Sequence, residues 1–161
     1  MVEAQALAWC SQFPTSTSLD DLIPPFRENC KSFIQYLEGA GATVSVAATY
    51  RPPERAYLMH YCCMIAGGPN MDPAAVPPFP GVGIQWDLGS AELSVGAAKA
   101  MMKGYGIAYP AALVSRHTQR RAIDMTINGF ALSGQALWDL GKTYGLIKLV
   151  SDPPHWSDDG H

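Results

Sequence analysis

Nowhere in this chain does an apolar run approach the roughly 20 residues that a membrane-spanning helix needs, so no span is expected. The stretch from Met1 to Cys10 lacks a basic start and a long apolar core, so no secretory signal is expected either. Charge is sparse at 16% and sums to -3, with no basic stripe carrying interleaved aromatics, which argues against nucleic acid as a partner. None of the four cysteines, Cys10, Cys30, Cys62 and Cys63, falls in a CxxC pair, and this speaks against a thiolate metal site. Neighbouring Cys62 and Cys63 can join only under severe strain. Cys10 and Cys30 can bridge if the first two helices pack together, but without a secretory signal buried free thiols are the simpler expectation. A Gly-rich phosphate loop and a GxSxG elbow are also missing, so nothing points to nucleotide chemistry or a serine hydrolase.

What is present suits one ordinary domain. A length of 161 residues with 48% hydrophobic side chains supports a single core spanning 1–161. The 15 glycines and 13 prolines imply many loops. Met1 to Phe13 reads as a short helix. After a polar Ser/Thr-rich connection, Pro24 and Pro25 suit the opening of a second one. Phe26, Cys30, Phe33, Ile34 and Leu37 then recur at helical spacing up to Gly39. These two helices make an N-terminal helical part, about 1–40. Thr43 to Tyr50 reads as a strand ending at Arg51, and Pro53 opens a helix through Ala66. The Pro/Gly-rich stretch of about 67–90 reads as a long loop, with a short strand at Ile84–Leu88. A helix follows over Glu92–Tyr105, closed by Gly106. Short strands are expected at Ala111–Val114, Arg121–Ile127 and Leu146–Val150, with a helix from the Ser133 N-cap to Tyr144. The order predicts an α+β fold: a small, mainly antiparallel sheet with helices packed against it.

The candidate chemistry lies in Ser115–Asp124 and Asp152–Trp156. His117 and Asp124 are seven residues apart, and His155 follows with Asp152 three residues before it. Two imidazoles and a carboxylate can hold an ion, and a free carboxylate nearby can take a proton from water. Asp124 stands between Ile123 and Met125, so on a strand it faces away from two apolar neighbours, and a carboxylate there needs a partner. Pro153 and Pro154 stiffen the approach to His155, and Trp156 is positioned to pack against its imidazole and limit solvent. Other candidates carry less. His60 lies within a helix and reads as structural, His161 as mobile, and Asp158 and Asp159 as a solvated tail. Asp87 reads equally as a cleft residue or as a cap.

Ser115-x-His117-x6-Asp124, with Ala122 two residues before the aspartate and His155-Trp156 downstream, resembles the signature of the zinc D-Ala-D-Ala carboxypeptidase and endopeptidase family. VanX- and VanY-type peptidases and several phage endolysins belong to it, and its fold groups with lysostaphin and hedgehog. The resemblance covers about the last two thirds of the chain, from Thr49-Tyr50-Arg51 onward. It implies Zn2+ held by His117, Asp124 and His155, with Asp152 as general base where most members carry Glu. It also implies substrate contacts from Ser115 and Trp156, and from Arg51, which either steadies an oxyanion or binds a substrate carboxylate. One position departs from the family pattern: Arg120 stands where the family has Gly, a residue that serves a permissive backbone angle or a close approach.

The function so implied is hydrolysis of peptide bonds in bacterial peptidoglycan stem peptides, by an endolysin or a secreted cell-wall-degrading effector. Without a signal, such an enzyme is made in the cytoplasm and reaches the wall through lysis or a secretion machine. The bond cut, and the choice between endo- and carboxypeptidase, stay open, as does an immunity partner. A non-catalytic metal- or peptide-binding module on the same fold is the other reading, resting on Arg120.

Overall fold

The computed structural model describes residues 2–161. Its helices, in chain order, are α1 (Val2–Cys10), α2 (Phe26–Gly39), α3 (Pro53–Ala66), α4 (Ala91–Tyr105) and α5 (Gly134–Thr143). Its strands are β1 (Thr43–Ala48), β2 (Ala122–Asn128), β3 (Ile147–Lys148) and β4 (His155–Ser157). The class is α+β, with one four-stranded antiparallel sheet ordered β1-β2-β4-β3. No helix among the described residues is long and apolar enough to cross a membrane.

The chain divides into two compact units. One comprises the part up to Pro14 together with Pro52–Leu113, and the other comprises Thr15–Arg51 with Val114–His161. The two N-terminal helices therefore belong to different units.

The first unit is helical. Pro53 opens α3, where a missing N–H costs nothing. Ser90 caps α4 by accepting the Leu93 N–H, and Gly106 ends it in the left-handed region at φ 69°. The Pro-rich stretch folds onto Tyr57 of α3. The Tyr57 hydroxyl donates to the Pro77 carbonyl at 2.7 Å and accepts from Trp86 Nε1 at 3.1 Å, and the Phe79 ring lies 5.1 Å away. Ile84–Leu88 does not form the expected strand, and its Leu88 N–H donates to the Ser94 hydroxyl at 2.9 Å. His60 is structural as read, with Nδ1 2.8 Å from the Ala111 carbonyl. All four cysteines are free thiols.

The second unit carries the sheet. The residues that recur at helical spacing in α2, Phe26, Cys30, Phe33, Ile34 and Leu37, are all buried. They pack with Ile123, Met125, Leu146 and Trp156 into one apolar cluster. The opposite face of β2 is left for Asp124. Two further strand expectations fail. Ala111–Val114 forms no strand, and Leu113 and Val114 are exposed. The Leu146–Val150 strand shortens to Ile147–Lys148, because the chain turns at once, Asp152 N–H donating to the Leu149 carbonyl at 3.1 Å. β4 enters the sheet between β2 and β3, where the sequence reading placed only a connection. Three residues behind two prolines are too few to display a period of two.

Candidate metal centre

Strand register builds the centre. Asp124 of β2 pairs directly with His155 of β4, and directly opposed residues share a face with their Cβ atoms about 4.5–5.5 Å apart. Ile123 pairs with Trp156 in the same ladder, so that pair turns to the opposite, apolar face. The third residue, His117, arrives from a tight turn. Gln119, Arg120 and Arg121 N–H groups donate to the carbonyls of Ser115, His117 and Arg116, and the Ser115 and Thr118 side chains cap each other's backbone N–H. A β-bulge between Val46 and Ala48 re-aims the end of β1. Beyond it Thr49 is fully buried, its hydroxyl 2.8 Å from the Ser18 carbonyl and 3.2 Å from the Ser16 carbonyl.

Each imidazole is anchored through one nitrogen. His117 Nδ1 lies 3.0 Å from the Thr49 carbonyl, and His155 Nε2 lies 2.8 Å from the His161 carbonyl. A carbonyl only accepts, so each of these nitrogens carries the hydrogen. In the neutral rings His117 Nε2 and His155 Nδ1 are then bare. Both aim at one oxygen, Asp124 Oδ1, at 3.0 and 3.1 Å. Three lone-pair groups facing one another repel unless protons or a cation lie between them. All three ligand atoms lie within 4.8 Å of one another, close to the separation that two bonds of about 2.0–2.2 Å to one divalent ion allow. The histidines are 5% and 6% exposed, so the group is largely sheltered from water. This buried His-Asp-His group can hold a metal ion.

Without a cation, protons must do the same work. Burial by itself would raise the Asp124 carboxyl, but hydrogen bonds from His117 and His155 and their positive charge outweigh it and hold the group well below the usual carboxylate range. For His155 burial favours the neutral ring. The hydrogen bonds to Asp124 and the His161 carbonyl, with the charges of Asp124 and Asp152, prevail and raise its pKa.

The cleft above the centre, of about 370 Å³, is lined by the three ligand candidates together with Arg51, Ser115 and Asp152. Arg51 lies just beyond Tyr50, its backbone N–H donating to the His117 carbonyl at 3.2 Å. Asp152 sits exposed on the loop between β3 and β4. Lys148, which the sequence reading did not single out, organises that loop. Its ammonium donates to the carbonyls of Leu149 and Asp152, both at 2.7 Å, and of His155 at 3.2 Å, matching three donors with three acceptors. A lysine at the end of an apolar strand carries no sequence signal for this role, because the acceptors are main-chain atoms.

Trp156 is the candidate that the structure does not bring to the cleft. Instead of covering the His155 imidazole it is 2% exposed in the core, its ring 5.7 Å from that of Phe33. Adjacent strand residues point to opposite faces, so His155 and Trp156 cannot share one. Gly141 gives way to it: a Cβ there would stand 2.4 Å from Trp156 Cζ3. Trp156→Ala is therefore expected to destabilise the sheet unit by about 3–5 kcal/mol. Thermal denaturation of the metal-free variant measures this, and a near-native melting temperature would contradict it.

Arg120 adopts a left-handed backbone, at φ 62°. Its guanidinium stacks 4.0 Å from the centroid of Tyr50. A left-handed residue with a Cβ costs about 1–2 kcal/mol, and a cation–π stack returns about 0.5–1 kcal/mol. Arg120→Ala keeps the strain and loses the stack, so it should cost about 0.5–1 kcal/mol. Arg120→Gly loses both and should stay within about 1 kcal/mol of the parent. Urea denaturation of the two variants orders them, with Gly above Ala.

Asp158 and Asp159 are not a free solvated tail. Asp158 accepts from Arg121 Nε at 2.6 Å, and Asp159 from Arg116 Nη2 at 2.7 Å. His161 is likewise held, through the carbonyl bond to His155.

No family model matches this chain, and no curated protein or solved structure does either.

Proposed function

We propose that this protein is a zinc-dependent peptidase acting on the stem peptides of bacterial peptidoglycan, built like the D-Ala-D-Ala peptidases on a hedgehog-type sheet. One observation carries the reading: a buried His117-Asp124-His155 group lies in a cleft also lined by a free carboxylate, Asp152, and a permanent cation, Arg51. His117 and His155 would hold the ion through Nε2 and Nδ1, and Asp124 through its carboxylate. A bound zinc ion supplies Lewis acidity, polarising a carbonyl and bringing the pKa of water towards about 7.

The remaining chemistry belongs to the chain. Asp152 accepts the proton of the attacking water and passes it to the leaving amine. Arg51 stays charged at every working pH and stabilises negative charge in the cleft, on the reacting oxygen or on a substrate carboxylate. Ser115 lends its hydroxyl to the Thr118 N–H at 3.3 Å and so holds the turn that bears His117. The Thr49 and His161 carbonyls orient the two imidazoles and raise their basicity as ligands.

Purified peptidoglycan digested with the protein should release peptide fragments, visible by mass analysis, and a chelator should stop the release. Cleavage that continues undiminished in chelator would overturn the zinc mechanism. Zinc binding with no released fragment would favour the non-catalytic module.

A further inference from the structure

The segment Ser157–His161 reaches the metal centre from outside it. Asp159 is its hub. Arg116 Nε donates to both Asp159 oxygens, at 3.0 and 2.9 Å, and Nη2 adds a third bond at 2.7 Å. Arg121 Nη2 approaches the same carboxylate at 3.5 Å. From within the segment, Asp159 Oδ1 accepts the Ser157 hydroxyl at 3.3 Å and the His161 N–H at 3.2 Å. Gly160, at φ 82°, donates its N–H to the Ser157 hydroxyl at 2.8 Å. The turn so made leaves the His161 carbonyl 2.8 Å from His155 Nε2. Arg116 and Arg121 flank the His117 turn and the start of β2, so the clamp joins the segment to the chain that carries the other two ligands.

We propose that Asp159 is a positioning residue for the metal centre. Held by Arg116 and Arg121, it folds Ser157–His161 so that the His161 carbonyl keeps the His155 hydrogen on Nε2 and leaves Nδ1 for the ion. The proposal rests on reading His117, Asp124 and His155 as metal ligands. An imidazole without this anchor is free to turn about its χ2 torsion and to swap its two nitrogens. Carbonyl and carboxylate partners of this kind commonly govern affinity at metal-bound histidines. Ion pairs as exposed as Arg116–Asp159 contribute little to global stability by themselves, so the effect falls on the metal rather than on the fold.

The test is zinc affinity, by competition with a chromophoric chelator, for the whole chain and three variants. Asp159→Asn is expected to bind zinc about 10–100-fold more weakly. Arg116→Gln, which removes the clamp from the other side, should give a similar loss. Asp158→Asn, which breaks only the Arg121 Nε pair, should retain the parent affinity. In the metal-free protein, at a pH where the His155 ring is neutral, imidazole 15N shifts should show its hydrogen on Nε2 in the parent and exchanging between nitrogens in Asp159→Asn. Parent-like affinity in both Asp159→Asn and Arg116→Gln would overturn the proposal. If the parent itself takes up no zinc, the metal reading fails and the proposal fails with it, an outcome distinct from a parent that binds and variants that bind equally well.

Discussion

Returning zinc to chelated protein should raise its melting temperature by about 8–16 °C when the free ion is about a thousand times its dissociation constant. Binding at that ratio stabilises by about 4 kcal/mol, and each kcal/mol shifts a domain of this size by about 2–4 °C. The ion would take the place of the protons that otherwise lie between two ring nitrogens and a carboxylate oxygen meeting at 3.0 and 3.1 Å. His117→Ala and Asp124→Ala should abolish the shift, and loss of a ligand should weaken binding beyond the roughly 100-fold that loss of an outer hydrogen bond brings. The pH dependence has a definite sign. His155 has a raised pKa and must shed its proton to bind through Nδ1, so apparent affinity should fall as pH drops through that raised value. Scanning calorimetry with and without chelator, at two pH values, tests all of this. A melting temperature indifferent to zinc would overturn the reading of the centre.

Asp152→Ala should leave zinc bound while lowering peptide release from peptidoglycan by about 10²–10⁴-fold, the usual contribution of a positioned base. The structure makes this separation clean. Asp152 lines the cleft but is not among the grouped ligands, and it attaches to the loop through backbone bonds that alanine preserves. Its carbonyl accepts from Lys148 Nζ at 2.7 Å and from the His155 N–H at 3.0 Å. Metal content by elemental analysis and fragment release by mass analysis are measured on the same preparation. Undiminished release would remove Asp152 from the mechanism, and loss of zinc along with activity would make it part of the ion's support instead.

Some of this was open to inspection in one dimension. The period of Phe26, Cys30, Phe33, Ile34 and Leu37 foretold the buried face of α2, because helical burial repeats over enough residues to be counted. The alternation Ile123, Asp124, Met125 foretold a carboxylate turned from the core, because a strand has only two faces. The spacing of His117, Asp124 and His155, read with the motif residues around them, pointed to the three side chains that the fold gathers, since side-chain ligands leave their identity in the sequence. The left-handed backbone at Arg120 and the Tyr50 stack that accompanies it have no local signal.

The rest depended on register and main-chain partners. Trp156 went to the core because it pairs with Ile123, and a register is a relation between strands that no single stretch contains. Lys148, Thr49 and His161 serve the centre through carbonyl oxygens, which every residue has and which therefore write nothing into the sequence. Asp158 and Asp159 read as solvated charges until the fold set Arg116 and Arg121 beside them, 43 and 37 residues away in the respective pairs. The sequence alone determined which groups can bind an ion. Only the tertiary structure decided which nitrogen of each imidazole is free to do so, because that choice is made by the backbone atoms that the fold brings to the other nitrogen.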